Sequence, residues 1–213
     1  MVKVHIGLDP GGAGAFGWCV LGDAPQIPLQ FVASGVADHA LGAVQRSLAI
    51  LASTHTAVGA GIDAPLFWRR DGDREVDRQV RTSIISLGAN SGTVNHVNSL
   101  RGACLVGGMT AAMLLRAWVP GICLSEAHPK AALWLLGIAK RGSPRSTIAL
   151  SALGAQLSVL PPRTVSDHER DAALAALSAW AMVHRPSTWQ DLSPLELNRV
   201  TPLDPPPQYW VPK

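Results

Sequence analysis

The chain has 213 residues, enough for one sizeable α/β domain and too few for two ordinary ones. Apolar residues make up 47% of the chain and charged residues 15%, a composition typical of packed globular proteins that excludes the disordered and fibrous classes. The 18 basic and 15 acidic side chains leave a formal charge of +3. This mild excess permits nucleic-acid binding without requiring it.

Neither the cysteines nor the apolar stretches indicate secretion or a membrane. Three scattered cysteines without a C-x-x-C pair argue against a disulfide framework and a zinc knuckle, and we expect all three in the core: Cys19, Cys104 and Cys123. The longest apolar stretch, 103–119, is too short and too interrupted to span a bilayer. The N-terminus has no charged segment followed by an apolar one, so we expect no signal peptide and a cytoplasmic location.

The first two predicted elements flank a glycine-rich turn. Apolar residues alternate with others over 2–8, which predicts a strand that ends at or just beyond Asp9. The following glycines match the dinucleotide-binding pattern G-x-G-x-x-G, but that reading needs a helix to begin inside the motif. Residues 16–21 are instead aromatic and β-prone, so the glycines predict a hairpin turn with close backbone approach. No Lys-Ser/Thr follows, which excludes a Walker loop.

The middle of the chain alternates helices and short strands. In chain order, apolar periodicity predicts a helix over 38–53, a buried strand over 57–63, a buried helix over 103–118, a strand over 121–129, a helix over 130–137 and a further helix over 143–156. Asp63 and Glu126 stand at the ends of predicted strands.

Residues 66–102 form a polar insertion that is expected to be helical around 73–86. At helical spacing, Arg74, Arg78 and Arg81 share one face and are candidates to neutralise phosphates, with Arg69 beside them and Trp68 to stack on a base. Acidic residues are interleaved with these arginines, however, so an ordinary salt-bridged surface helix is the alternative reading.

The last predicted helix opens with a capping box, Ser166-x-x-Glu169, and places Asp167 and Asp171 one turn apart on the same face. The proline-rich tail, 186–213, is expected to pack on the surface without regular structure. This divides the chain into one domain, 1–185, and a tail.

Five motifs in this order resemble a known family: GLDPGGAGAFGW (7–18), GIDAPLFW (61–68), DREVDRQVR (73–81), SEAHPKAALWLLG (125–137) and DHERDAALAALSAW (167–180). The element order resembles the ribonuclease-H-like fold of ribonuclease H, integrases and the RuvC resolvases. The motifs are similar to domain-of-unknown-function family 429, described as predicted nucleases of that fold, over about residues 4 to 182. The resemblance implies a single α/β domain with a mixed sheet flanked by helices.

Hydrolysis of a phosphodiester by two metals needs clustered carboxylates, and Asp9, Asp63 and Asp171 fit that requirement best. The resemblance implies that Asp9 is the first-strand Asp, Asp63 the central-strand carboxylate, and Asp167 and Asp171 the helical pair that hold Mg²⁺ or Mn²⁺. Many resolvases have Glu where this chain has Asp63. Asp9 and Asp63 also suit simple turns, and Asp167 suits a helix N-terminus by charge alone.

Two further motifs contribute candidate groups. Glu126, His128 and Lys130 recur in the resembling family's motif and are candidates for a metal ligand, a general base or a phosphate contact, against a plain capping role. His168 is a candidate proton shuttle beside the carboxylates, against an exposed first-turn histidine.

The sequence therefore predicts a metal-dependent nuclease, with nucleic acid as partner and no membrane. The alternative is an inactive binding module of the same fold for nucleic acid or protein. The actin and sugar-kinase superfamily shares the Asp-Gly-rich hairpin, but it normally duplicates the unit into two domains. The oligomeric state, with a homodimer among the options, stays open.

Overall fold

The computed structural model describes residues 2–11, 14–51, 55–67, 74–94, 102–139, 153, 156–159, 166–197 and 199–213. The strands are β1 (Val2–Pro10), β2 (Phe16–Gly22), β3 (Leu29–Ala37), β4 (His55–Ile62), β5 (Cys123–Glu126), β6 (Leu157–Val159), β7 (Trp189–Asp191) and β8 (Gln208–Pro212). The helices are α1 (Ala40–Ala49), α2 (Glu75–Ser86), α3 (Gly102–Trp118), α4 (Pro129–Leu135) and α5 (Asp167–His184). Short 3-10 helices lie at Ser91–Thr93 and Ser193–Leu195.

The strands form one mixed sheet in the order β6-β3-β2-β1-β4-β5-β8-β7. β1, β2 and β3 are an antiparallel meander, whereas β4 pairs with β1, β5 with β4 and β8 with β5 in parallel. The parallel strands β1, β4 and β5 thus bring their carboxyl ends to one edge of the sheet. The mixed sheet with flanking helices confirms the predicted α/β class, a single domain around a central mixed sheet.

Alternation along β1 separates two hydrophobic cores. Val4, Ile6 and Leu8 pack in the core that contains α1 and α3. The intervening positions face the side on which α5 packs, with α2 and α4 in the same core. A Cβ at Gly7 or Gly61 would overlap a backbone carbonyl oxygen of α5, so these glycines let the helix lie directly on β1 and β4. Close packing of a neighbouring backbone against glycine, which the sequence predicts at the hairpin turn, therefore also occurs in β1 and β4.

Most predicted elements are present, including the hairpin strand β2, the helix α2 and the Ser166 capping box. The candidate helix over 143–156 lies almost entirely outside the described residues. Among the described residues, no helix is both long and apolar enough to cross a membrane. The expectation that every cysteine is buried was wrong for Cys123, which begins the short strand β5 and is exposed.

The expectation of a tail without regular structure was also wrong. β7 and β8 belong to the tail and extend the sheet beyond β5, and Tyr209 in β8 is fully buried. The prolines of the tail do not interrupt these strands, because the prolines after β7 lie either before β8 or at its last position. The strand itself, QYWVP, is rich in aromatic and β-branched residues.

Candidate active site

Three predicted carboxylates, which we call the acidic edge, lie at the carboxyl-end edge of the sheet: Asp9, Asp63 and Asp171. Asp9 is the penultimate residue of β1 and is 5% exposed. Asp63 directly follows β4, and its backbone N–H donates to the carbonyl oxygen of Leu8 at 2.9 Å, which places it beside the end of β1. Asp171 projects from the second turn of α5 and is buried.

The electrostatics of Asp63 indicate how closely these groups converge. Burial raises the pKa of Asp63 to about 7, and the negative charges of Asp9 and Asp171 act in the same direction. His128 and Lys130 oppose this rise in pKa. Burial is the largest cause of the raised pKa, and the like charges nearby add to it because they disfavour ionisation.

Lys130, at the start of α4, is a cation whose charge faces all three carboxylates of this edge. Its Nζ lies 3.5 Å from an Oδ2 of Asp171. Burial opposes its charge, but Asp63, Asp171 and Asp9 outweigh that effect and raise the pKa of Lys130. Asp171 also accepts two hydrogen bonds from its neighbour Arg170, at 2.8 and 2.6 Å. The acidic edge is therefore partly neutralised by side chains.

His168, in the first turn of α5, contacts Asp9 directly. Its Nδ1 lies 2.6 Å from Oδ2 of Asp9, and this hydrogen bond raises the pKa of His168 above its ordinary value. Its side chain keeps 32% exposure. A Cβ at Gly17 would overlap the backbone carbonyl of His168, so a glycine at this position of the hairpin admits the first turn of α5. Asp167, one residue earlier, is exposed.

Glu126 is buried in a separate ion-pair network. Arg74 Nη1 lies 2.9 Å from Oε2 of Glu126 and Arg74 Nη2 lies 2.6 Å from Oε1. The same guanidinium donates two hydrogen bonds to Asp77, both at 2.8 Å, and the N–H of Leu66 donates to Glu126 at 2.9 Å. Both oxygens of Glu126 are thus occupied.

His128 completes this network. Its Nε2 lies 3.4 Å from Oε1 of Glu126 and 3.7 Å from Oδ1 of Asp77. Burial alone would lower the pKa of His128, but the two carboxylates raise it to about 10, so the ring is a cation at neutral pH. The two cations, His128 and Arg74, then balance the two carboxylates, Asp77 and Glu126. Tyr209 packs on the His128 ring at a centroid distance of 5.5 Å.

The prediction that Arg74 lies on a basic face of α2 was wrong. This residue precedes the helix in an extended conformation and is 1% exposed, because its charge pairs with Asp77 and Glu126 in the interior. Arg78 is exposed and pairs with Glu75 at 2.6 Å, as the salt-bridged surface alternative expects. Arg81 is half-buried and donates to the carbonyl of Val94. Trp68 and Arg69 lie outside the described residues.

Sequence reasoning missed two groups of side chains that the fold brings together. Tyr209, which lies in β8 of the tail, joins the Arg74 network. In the sequence, only the short β-prone run around Tyr209 could have predicted that β8 is a strand. His5, Asp23 and His184 meet at the other end of α5. Nothing in a single sequence links these three, because 18 to 179 residues separate them along the chain.

In the part of the chain that the structure describes, two groups of three ligands have atoms within 4.8 Å of one another: His5, Asp23 and His184, and Asp77, Glu126 and His128. The acidic edge is not among them. Its chemistry nevertheless suits a hard cation, because it offers carboxylate oxygens from three rigid elements and carries a charge excess that a cation relieves.

The chain was compared with known proteins. Neither a protein-family model nor a curated protein sequence matches it, so membership of family 429 stays a prediction. A structure of Thermus thermophilus RuvC in complex with a Holliday junction substrate aligns with a TM-score of 0.42 and 18% identity, covering 86% of this chain and 96% of that chain. A structure of Thermus thermophilus RuvC aligns with a TM-score of 0.42 and 17% identity over the same shares.

Proposed function

We propose that the protein hydrolyses a phosphodiester of nucleic acid with the help of divalent metal at the acidic edge. The observation that carries the proposal is the convergence of Asp9, Asp63 and Asp171 from β1, the end of β4 and α5. Burial and the two neighbouring charges raise the pKa of Asp63 to about 7, so the fully ionised edge calls for a cation. Mg²⁺ or Mn²⁺ is the class of ion that carboxylate oxygens favour.

The acidic edge would hold the metal, and Asp167 is a further ligand candidate one turn before Asp171. When bound, the ions would supply an activated water and stabilise the leaving oxygen. Lys130 takes no part as a ligand, since an ammonium donates and does not accept. We infer that Lys130 pairs with the carboxylates until metal enters and then turns its charge to the substrate phosphate. Its 40% exposure leaves it free to do so.

His168 is placed to move a proton. The hydrogen bond to Asp9 raises the pKa of His168, so its ring stays protonated to a higher pH than a free histidine does. The ring is a third exposed, which lets it exchange protons with water. We infer that it donates a proton at the leaving oxygen, with Asp9 fixing its orientation.

Glu126 is better suited to positioning than to ligation or base chemistry. Both of its oxygens are held by Arg74 and Leu66, and it has no exposure. By tying α2 to the end of β5, it fixes the wall of the site beside Asp63. Arg78 and Arg81, together with Trp68 and Arg69, stay candidates for contacts with the nucleic-acid backbone and bases.

One observation favours the alternative, an inactive binding module. Lys130 and Arg170 already neutralise part of the acidic edge, and the edge does not meet the 4.8 Å spacing that two other groups meet. A module of this kind would bind nucleic acid without metal and leave it intact.

The test is a cleavage assay on labelled single- and double-stranded DNA and RNA, with Mn²⁺, Mg²⁺ or chelator. We expect metal-dependent cleavage by the wild type, its loss in Asp9→Asn and Asp171→Asn, and its retention in Asp38→Asn, which removes an exposed carboxylate elsewhere. Equal cleavage by all variants would contradict the proposal. Metal-independent binding without cleavage would establish the alternative.

A further inference from the structure

We propose that His5, Asp23 and His184 bind one transition-metal ion of the zinc class, at the end of α5 opposite the acidic edge. His5 lies in the middle of β1, Asp23 directly follows β2, and His184 is the last residue of α5. Nε2 of His5 is 2.7 Å from Oδ1 of Asp23, and Nε2 of His184 contacts the same oxygen. All three ligand atoms lie within 4.8 Å of one another.

The group is held by rigid structure. The backbone N–H of Asp23 donates to the carbonyl of Lys3 at 2.9 Å, which fixes it against β1. The His184 ring stacks on Trp180 at a centroid distance of 5.8 Å, and Trp180 Nε1 donates to the carbonyl of Ala24 at 2.7 Å. Preorganised ligands lose little entropy when an ion binds.

The donor set selects the class of ion. Two imidazoles and one carboxylate suit Zn²⁺, Co²⁺, Ni²⁺ or Fe²⁺, whereas Mg²⁺ and Ca²⁺ favour oxygen-only sites such as the acidic edge. In a tetrahedral zinc site with bonds of about 2.0–2.1 Å, ligand atoms lie roughly 3.3 Å apart. Binding of an ion would therefore require both the His5–Asp23 and the His184–Asp23 contacts to open by side-chain rotation.

The surroundings of the group favour a cation with an open coordination position. His184 lies at the C-terminus of α5, where the helix dipole attracts positive charge. The side chains of His184 and Asp23 are 21% and 15% exposed, so water can reach the ion. His5 is fully buried, and its Nδ1 finds no hydrogen-bond partner among the described residues. The contact with Asp23 therefore leaves the proton of the neutral ring on Nε2, and a metal ion would replace that proton.

The other close triad, Asp77, Glu126 and His128, does not suit a metal. Arg74 already binds both of its carboxylates through two hydrogen bonds each, and the His128 ring carries the balancing charge. An ion there would have to displace a buried guanidinium. The His5 group contains no competing Lys or Arg in its hydrogen bonds or ion pairs among the described residues.

The test uses Co²⁺ as a spectroscopic probe of the full chain after removal of metal. We expect one equivalent of Co²⁺ to give the visible absorption of a low-coordinate site, Zn²⁺ to displace it and excess Mg²⁺ to leave it in place. The absorption should be lost in His184→Gln and Asp23→Asn. It should persist in Asp9→Asn and in the control His39→Asn, which keeps a side-chain acceptor for the α1 cap.

A second measurement does not depend on the variants being folded. In the NMR spectrum of the wild type, Zn²⁺ should shift the ring resonances of His5 and His184 and leave those of His128 and His168 in place. Absence of Co²⁺ absorption in the wild type, its persistence in both ligand variants, or its loss in Asp9→Asn would overturn the proposal. Because the acidic edge is separate, failure here leaves the nuclease assay unaffected.

Discussion

Nδ1 of His168 lies 2.6 Å from Oδ2 of Asp9, and this contact ties the first turn of α5 to the end of β1. The glycine-rich hairpin makes the contact sterically allowed, because a side chain at Gly17 would overlap the backbone of His168. Gly17, the last glycine of the pattern that resembles a dinucleotide-binding motif, therefore serves helix–strand packing around a polar site.

This contact predicts the titration of His168. In metal-free wild type, the pKa of His168 should lie above 6.5, because Asp9 accepts its hydrogen bond. In Asp9→Asn the charge is lost and the pKa should fall towards the ordinary value. NMR titration of the imidazole resonances measures both, and the same pKa in the two proteins would show that the contact is not formed in solution.

Lys130 is predicted to compete with metal. Lys130→Met removes a positive charge that faces Asp9, Asp63 and Asp171, so Mn²⁺ should bind about tenfold more tightly. Lys3→Met, at an exposed position of β1, is the control and should bind as the wild type does. Calorimetric titration gives the affinities. Weaker Mn²⁺ binding by Lys130→Met would mean that the ammonium supports the site instead of blocking it.

Asp63 is predicted to destabilise the metal-free fold at high pH. Its folded pKa of about 7 lies above the unfolded value of 3.8, so the folded state binds the extra proton and stability falls as pH rises between the two values. Asp63→Asn should therefore stabilise the protein at about pH 8 by about 4 kcal/mol at most, since the difference is about 3 pKa units and each unit corresponds to about 1.4 kcal/mol.

The gain should disappear at about pH 4, where the carboxyl is protonated in the folded wild type. Thermal unfolding of both proteins in chelator at the two pH values measures the difference. A stabilisation that is independent of pH would show that packing, and not the charge of Asp63, is responsible.

The two arginines that flank the start of α2 should differ sharply in their contribution to stability. Arg74→Met leaves Asp77 and Glu126 buried without their guanidinium and should cost about 3–5 kcal/mol. Arg78→Met breaks an exposed pair with Glu75 and should cost about 0.3–0.5 kcal/mol. Urea unfolding measures both, and similar losses would refute the assignment of Arg74 to the interior.

The sequence was most informative where local pattern and fold agree. The alternation of β1, the β-prone run after the glycines and the Ser166 capping box predicted the hairpin and α5 correctly. The sequence pattern placed Asp9 and Asp63 at strand ends, and it was the family resemblance that grouped them in one site.

What the sequence did not reveal depends on long-range contacts. β3 carries small and apolar residues without clear alternation, and β8 is a short run among prolines, so each becomes a strand only by pairing with a neighbour. Arg74 has the spacing of an exposed helical face, but it is drawn inward by two buried carboxylates, Asp77 three residues later and Glu126 52 residues later. Local periodicity cannot encode such partners.

The most direct test of the central claim is a calorimetric titration of Mn²⁺ into the wild type and Asp9→Asn. We expect saturable binding by the wild type that is lost in the variant, because Asp9 shares its charge environment with Asp63 and Asp171 at one edge of the sheet. Equal binding by the two proteins, or none by the wild type, would contradict a metal site at the acidic edge.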